Sequence, residues 1–453
     1  MSSIFRSYDI RGIYPSEINE DVVYKTALAY RKILPKAKEI VVARDMRLSS
    51  PALFESLTRG LMDAGFNVID IGMVPVSVFY FAIAHYKKDG GIMITASHNP
   101  KEYNGLKIQR ENARPIVGET GIFEMEKYVL EGNFQKAEEK GTMSKKEVVD
   151  EYMRYIVPKI KLKRPLKIIL DPGNGTCGKI PEKIFSSLGC TAKTIFAEPD
   201  GTFPNHAPDP HDDKNLVALQ KEVVKNKAGI GFAFDGDGDR AGIVDEKGRI
   251  ISMDFILMML TRQALAVKKG DVVFEVRCPN TLIDDTKTHG GNPLVTRVGH
   301  SYLLDEIIDR SAVFGGELTG HMYFPYCYYN YDDAVFASLK IAEIVSALDI
   351  PFSEYIDSLP RAHASPEIFI DCDDDRKFKV VEELKTYLKE NNYGFLGIDG
   401  ARINFTNGWG LVRASNTTAH IKCRFEADTK EHLEEIIKEV SGIIQKFGLK
   451  LKY

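Results

Sequence analysis

The segment Phe234-Asp235-Gly236-Asp237-Gly238-Asp239-Arg240 alternates three carboxylates with glycine. Glycine lets a backbone turn tightly, so three side chains can converge on one point. Converging negative charges call for a cation, and hard oxygen ligands suit Mg²⁺ or Ca²⁺. A solvated acidic turn is the plainer reading. Two features oppose an EF-hand: Arg240 stands where that loop needs glycine, and the flanks Ile230–Phe234 and Ala241–Val244 read as strands. Magnesium is favoured, because three protein carboxylates leave positions open for water or phosphate. Arg240, next to the last aspartate, suggests that a phosphate arrives beside the metal, since guanidinium holds phosphate oxygens bidentately.

Three further segments carry polar chemistry. Thr95-Ala96-Ser97-His98-Asn99-Pro100 follows a strand-like run, the place where open α/β sheets put their ligands. By itself it reads first as a polar loop. Adjacent Ser97 and His98 are expected to point apart, which argues against a hydrolase dyad, and the pattern G-x-S-x-G is absent. Gly315-Gly316-Glu317-Leu318-Thr319-Gly320-His321 is a loop rich in groups that bind sugar hydroxyls, or equally a plain glycine turn. Arg413-Ala414-Ser415-Asn416-Thr417-Thr418 is rich in donors that can cradle a phosphate. It is neither a P-loop nor part of a Rossmann fingerprint.

The elements that must position these loops read as alternating strands and helices. Ile40–Ala43, Val68–Ile71 and Gly91–Thr95 are strand-like, with helices from a capping Ser49 to about Gly65 and from Val76 to His85. The rhythm recurs at Lys167–Leu170, with its turn Asp171–Gly175, at Ile230–Phe234 and at Asp271–Val276. It indicates βαβ units and largely parallel sheets. The last part reads strand, helix (about Arg376–Asn391), several strands, helix (Thr429–Phe447). The expected architecture is α/β: three α/β domains with mixed, mostly parallel sheets and a C-terminal α+β domain, around a central cleft. The expected domains are 1–145, 146–250, 251–362 and 363–453, each carrying one loop. Joints are expected near Glu138–Lys146, Asp245–Gly248 and Leu359–Pro366.

Composition narrows the partners. With 453 residues, more than one core is required. A net charge of −4 gives no electrostatic case for nucleic acid or an anionic membrane. Six scattered cysteines with no C-x-x-C pair form neither a disulfide framework nor a zinc site, and read as buried small residues in a reducing compartment. Arg6, Asp9 and Arg11 interrupt any signal-like run, and no stretch reaches the ~20 apolar residues of a membrane span. A cytoplasmic location is the expectation.

Together and in this order, the four loops closely resemble those of the α-D-phosphohexomutase family, in its phosphomannomutase/phosphoglucomutase form, over the whole chain from Phe5-Arg6-Ser7-Tyr8-Asp9-Ile10-Arg11-Gly12 to Arg413–Thr418. The resemblance implies that Ser97 carries a phosphoryl group and that Asp235, Asp237 and Asp239 hold Mg²⁺, with the Ser97 phosphate completing the site. It implies that Arg240 stands beside that site. Glu317, Thr319 and His321 are matched to sugar recognition, and Arg413, Ser415, Asn416 and Thr417 to the distal phosphate. Tyr8, Arg11, His98, Lys107 and His300 match further active-site positions. Many relatives have serine at the position of Thr319.

The implied activity is interconversion of hexose 1-phosphate and hexose 6-phosphate, mannose or glucose, through phosphoserine and a hexose 1,6-bisphosphate. Lys107, Arg11, His98 and His321 are unranked candidates for proton transfer. Alternatives left open are a phosphoglucosamine mutase, a metal-dependent sugar phosphatase and a non-catalytic sugar-phosphate binder.

Overall fold

A computed structural model describes residues 4–415 and 418–451. The chain forms two compact units, Met1–Ile256 with Thr319–Asp357, and Leu257–Leu318 with Ser358–Tyr453.

The first unit contains two mixed sheets. In one, the strand order is Ile10–Ile13, Tyr103–Arg110, Gly90–Ile94, Glu39–Arg44, Asn67–Met73, Met143–Lys145. The last four pair in parallel, and the first two join antiparallel. Gly90–Ile94 is buried throughout, as a central strand covered on both faces must be. The helix Val76–His85 is apolar all round, and every residue from Val76 to Ile83 is buried. Glu20–Ile33 is fixed at its start by Asn19, whose side chain accepts from Val22 N at 3.1 Å. Acids in its first turn and bases in its last suit the helix dipole.

The other sheet runs Ile250–Ile251, Ala241–Asp245, Ile230–Phe234, Lys167–Asp171, Thr191–Thr194. Its last three strands are parallel, and its first two form antiparallel pairs.

The second unit holds a parallel sheet, Asn292–Thr296, Asp271–Glu275, Phe314–Gly316. It also holds an antiparallel sheet, Phe395–Leu396, Ala401–Phe405, Gly408–Ala414, His420–Ala427, whose last strand also pairs with His363–Ala364 and Ile368–Asp371. Helices Asp374–Glu390 and Lys430–Gln445 bury apolar stripes on that sheet around Val380, Leu384, Ile403, Phe425, Val440 and Ile444. The expected α/β class, with mixed sheets and an α+β C-terminal part, is therefore the observed one.

One local expectation is corrected. Ser49 precedes the helix Ser50–Asp63 but caps nothing, because its backbone is already helical (φ −82°, ψ −16°). Its hydroxyl instead accepts from Asn104 Nδ2 at 2.8 Å. Within the segment 138–146, Met143–Lys145 forms a short strand that pairs beside Val68–Asp70. Asp245–Gly248 is a hairpin turn, closed by Lys247 N and Arg249 N donating to Asp245 Oδ1 at 3.0 and 2.8 Å. Five cysteines are buried, Cys327 is partly so, and none is bridged. Among the described residues no helix is long and apolar enough to cross a membrane.

Candidate active site

Ser97 lies in the loop after the central strand Gly90–Ile94. Its backbone is left-handed (φ +49°), a conformation unusual for serine. Thr95 Oγ1 fixes that turn by accepting from Ser97 N at 3.0 Å and donating to Asp237 Oδ2 at 3.0 Å. Ser97 Oγ donates to Asp235 Oδ2 at 2.6 Å. It also lies 3.1 Å from His98 Nδ1. Contrary to the expectation for neighbours, the two side chains converge, because the left-handed backbone at Ser97 departs from the extended arrangement that separates adjacent side chains.

The acidic loop joins Ile230–Phe234 to Ala241–Asp245 in a tight hairpin. Asp235 Oδ1 closes the hairpin by accepting from the N–H groups of Gly238, Asp239 and Arg240 at 3.0, 3.0 and 3.1 Å. A Cβ at Gly236 would lie 2.5 Å from the Ser97 carbonyl oxygen, so the close approach of the two loops requires glycine. The turn at 171–175, foreseen without a role, leads to Thr176, whose N–H and hydroxyl both donate to Gly236 O. Val76 N, at the start of its helix, donates to Asp237 O at 2.8 Å.

Asp235, Asp237 and Asp239 are buried, and one oxygen of each lies within 4.8 Å of the others. Lys107 places its ammonium 2.9 Å from Asp237 Oδ2 and also bonds Asp239 Oδ2. Asp237 Oδ1 and Asp239 Oδ1 are buried without a hydrogen-bond partner. Buried carboxylate oxygens left unpaired are costly, and hard-cation coordination is the chemistry that satisfies them. The three aspartates therefore fit a divalent cation.

Burial, then the charges of Asp239 and Asp237, push the Asp235 carboxyl well above its usual range. Burial would raise Asp239 too, but the charges of Lys107 and Arg240 hold it well below. Burial works against the Lys107 ammonium, yet Asp237 and Asp239 outweigh it and raise that group above its ordinary value.

Around this centre stand other expected residues. Arg240 Nε donates to His321 Nε2 at 2.9 Å. An arginine can only donate, so this nitrogen of His321 is the unprotonated one. The proton sits on Nδ1, 2.5 Å from Asp332 Oδ2. Burial, followed by the Arg240 and Arg11 charges, holds His98 well below the usual histidine range. Arg11, opposite Gly105 in the strand register, donates to Asn99 Oδ1 at 2.7 Å and pairs with Asp9. Tyr8 is half-buried in the bend before that strand, and Thr319 is half-buried in the turn before His321.

In the second unit, Glu317 is buried and its Oε1 accepts from Gly299 N at 2.7 Å, just ahead of the helix His300–Arg310. His300, half-buried at the first turn, has Nε2 3.2 Å from Ser301 Oγ. Arg413 is held by Asp399 Oδ2, 3.0 Å from both Nε and Nη2. The same carboxylate oxygen accepts from Val298 N at 3.0 Å, which ties the two loops together. Ser415 is buried and its Oγ accepts from Thr418 N and Thr418 Oγ1 at 3.2 and 2.8 Å. Asn416 and Thr417 lie outside the described residues.

Three contributors escaped the sequence reading: Thr95 as a link between loops, Asp332 behind His321, and Arg47, which lies fully buried beneath the Ser97 loop. Asp332 carried a weak signal, since a carboxylate eleven residues after a loop histidine is a plausible partner for it. Arg47 carried none.

Successive segments of the chain match the models of four domains: phosphoglucomutase/phosphomannomutase alpha/beta/alpha domain I over residues 2–136, domain II over 150–248, domain III over 252–363, and the C-terminal domain over 367–443. A phosphomannomutase/phosphoglucomutase of Pseudomonas putida is 36% identical over 96% of this chain and 94% of its own. A phosphoglucomutase of Neisseria meningitidis is 38% identical over 98% of this chain and 96% of its own. Among solved structures, a phosphoglucomutase/phosphomannomutase family protein from Burkholderia thailandensis superposes with a TM-score of 0.93 at 34% identity, covering 99% of both chains. The chain belongs to the phosphoglucomutase/phosphomannomutase family of α-D-phosphohexomutases.

Proposed function

We propose that this protein is a Mg²⁺-dependent phosphohexomutase that interconverts hexose 1-phosphate and hexose 6-phosphate, with mannose, glucose or both as the sugar. The observation that carries this reading is the placement of Ser97 Oγ 2.6 Å from Asp235, beside two buried carboxylate oxygens that accept no hydrogen bond. The names of the relatives point the same way.

In this reading the active enzyme carries a phosphoryl group on Ser97 Oγ. The P–Oγ bond breaks, a bond forms from phosphorus to the oxygen of the free sugar hydroxyl, and the proton of that hydroxyl ends on Ser97 Oγ, which leaves as the serine hydroxyl. The bisphosphorylated sugar then returns its other phosphoryl group to Ser97 Oγ, and the serine proton ends on the sugar oxygen that is freed. A phosphoserine carries about −1.5 to −2 charges. A Mg²⁺ held by Asp235, Asp237 and Asp239 would neutralise negative charge on the phosphoryl oxygens.

Arg240, held in place by His321, supplies donors for the same oxygens. Lys107 is a charged donor in the structure, and neutral His98 stands next to the serine hydroxyl. Glu317, Thr319 and His300 are assigned to the sugar hydroxyls. Arg413, Ser415, Asn416 and Thr417 are assigned to the phosphate that is not reacting. Tyr8 and Arg11 are assigned to the reacting end.

The test uses one preparation. Intact mass is measured before and after glucose 1,6-bisphosphate, the modified residue is mapped, and conversion of mannose 1-phosphate and glucose 1-phosphate is assayed with magnesium and with EDTA. We expect one phosphoryl group on Ser97 and turnover that EDTA abolishes. No phosphoryl group on Ser97 together with no isomerisation defeats the proposal. Phosphate release that survives Ser97→Ala would identify a phosphatase instead.

A further inference from the structure

Arg47 follows the strand Glu39–Arg44 and is 1% exposed. A buried guanidinium has five N–H groups to satisfy, in one rigid plane. Here every one has an acceptor. Nε donates to Asp45 Oδ2 at 3.1 Å. Nη1 donates to the carbonyls of Pro100 and Tyr103 at 2.6 and 3.0 Å. Nη2 donates to the carbonyls of Ser97 and Asn99 at 2.9 and 2.6 Å.

Four of the five acceptors are thus backbone oxygens of the single loop Ser97–Tyr103, fifty residues further along the chain. Asp45 in turn is pinned. It accepts from Arg47 N at 3.0 Å and Ser50 Oγ at 2.5 Å, and its other oxygen is 3.4 Å from Ala96 N. Gly201 packs against the backbone at 46–48 and leaves no room for a Cβ.

A loop with a residue at φ +49° needs an external hold to keep that conformation. Neither the Thr95 contact nor the Asp235 contact holds the carbonyl side of the loop. Arg47 does, and one of its bonds ends on Ser97 itself. Lysine has three donors on a flexible stem and cannot serve four carbonyls that diverge around a plane.

We infer that Arg47 is a positioning residue for phosphoryl transfer: its guanidinium clamps the carbonyls of residues 97, 99, 100 and 103 and so fixes the direction of Ser97 Oγ. This inference rests on the reading of Ser97 as the phosphoryl carrier. A misplacement of about 1 Å at a reacting group lowers rate about 100-fold without a matching loss of binding.

The experiment compares the full-length wild type with Arg47→Lys. Three quantities are measured: the rate at which Ser97 acquires phosphoryl from glucose 1,6-bisphosphate, kcat and KM for glucose 1-phosphate, and the thermal midpoint. We expect the phosphorylation rate and kcat to fall together by about 100-fold, with KM within about threefold. A folded Arg47→Lys that phosphorylates Ser97 at the wild-type rate overturns the inference, whatever its thermal midpoint. If Arg47→Lys does not fold, the wild type decides by NMR of arginine side chains. Separate, slowly exchanging Nη–H signals for Arg47 uphold the clamp, and signals averaged by free rotation overturn it. A wild type that never acquires phosphoryl on Ser97 defeats the mutase reading, an outcome distinct from either of these.

Discussion

Lys107→Met tests the charge balance of the acidic loop. The ammonium is buried and touches both Asp237 and Asp239. Methionine keeps most of the volume and removes the charge. Three carboxylates within 4.8 Å then lose the ammonium that touched two of them and keep Arg240 Nε, 3.8 Å from Asp239 Oδ1, in metal-free protein. Removing one partner of a buried ion pair costs about 3–5 kcal/mol. A second route gives a similar ceiling. A carboxylate that escapes by taking up a proton at pH 7 works against about three pKa units, or about 4 kcal/mol. At about 2–4 °C per kcal/mol, the thermal midpoint in EDTA should fall by roughly 6–20 °C.

Magnesium should reverse the order of the two proteins in affinity. The wild-type cation must bind beside an ammonium, and the variant's need not. Titration calorimetry should therefore give a Mg²⁺ dissociation constant at least about tenfold lower for Lys107→Met, and saturating magnesium should stabilise the variant by more than the wild type. A midpoint in EDTA within 2 °C of wild type (about the shift expected of a 1 kcal/mol change), or weaker magnesium binding, refutes the reasoning.

Two more predictions concern neighbouring features. Gly236→Ala forces a Cβ against the Ser97 carbonyl, so the loops must separate; stability should fall by about 1–3 kcal/mol and Ser97 phosphorylation should slow, as read by denaturant unfolding and intact mass. Burial lifts Asp333 to about 6, although Phe336 N, Tyr152 Oη and Tyr328 Oη donate to it. Its folded pKa is raised, so the unfolded chain ionises first and stability falls as pH rises from about 4 to 6, then levels. Asp333→Asn keeps the acceptor for Phe336 N and removes the ionisation, so it should gain on the wild type by on the order of 3 kcal/mol across that window. A difference that stays constant from pH 4 to 7 rules this out.

Much of the site could be read from the chain because its chemistry is written in consecutive residues. Asp235–Arg240 is a hairpin whose turn is closed by its own first aspartate, so local sequence suffices to define it. The helix Val76–His85 was legible to its last residue, since a proline before it and a continuous apolar run leave no other placement. Lys107 was named by resemblance alone. Nothing in Asn104-Gly105-Leu106-Lys107 announces that its ammonium meets carboxylates more than a hundred residues away. Arg47 was invisible for a related reason: its acceptors are backbone carbonyls, which every residue possesses. Ser49 misled because a hydroxyl before a helix has a usual task, and here Asn104 uses it first.

The hydrogen bond between Ser97 and Asp235 spans 138 positions and joins loops from two different sheets. Neither sheet alone contains the site. On a ribosome the first sheet is complete, serine loop included, well before the aspartates have been made. On refolding from denaturant, secondary structure and the separate cores can form while the carboxylates and the serine are still apart. Under the proposed function, competence for Ser97 phosphorylation is thus a clock for docking rather than for folding of either sheet. The delay between recovery of helical signal and recovery of Ser97 phosphorylation would time that assembly step directly.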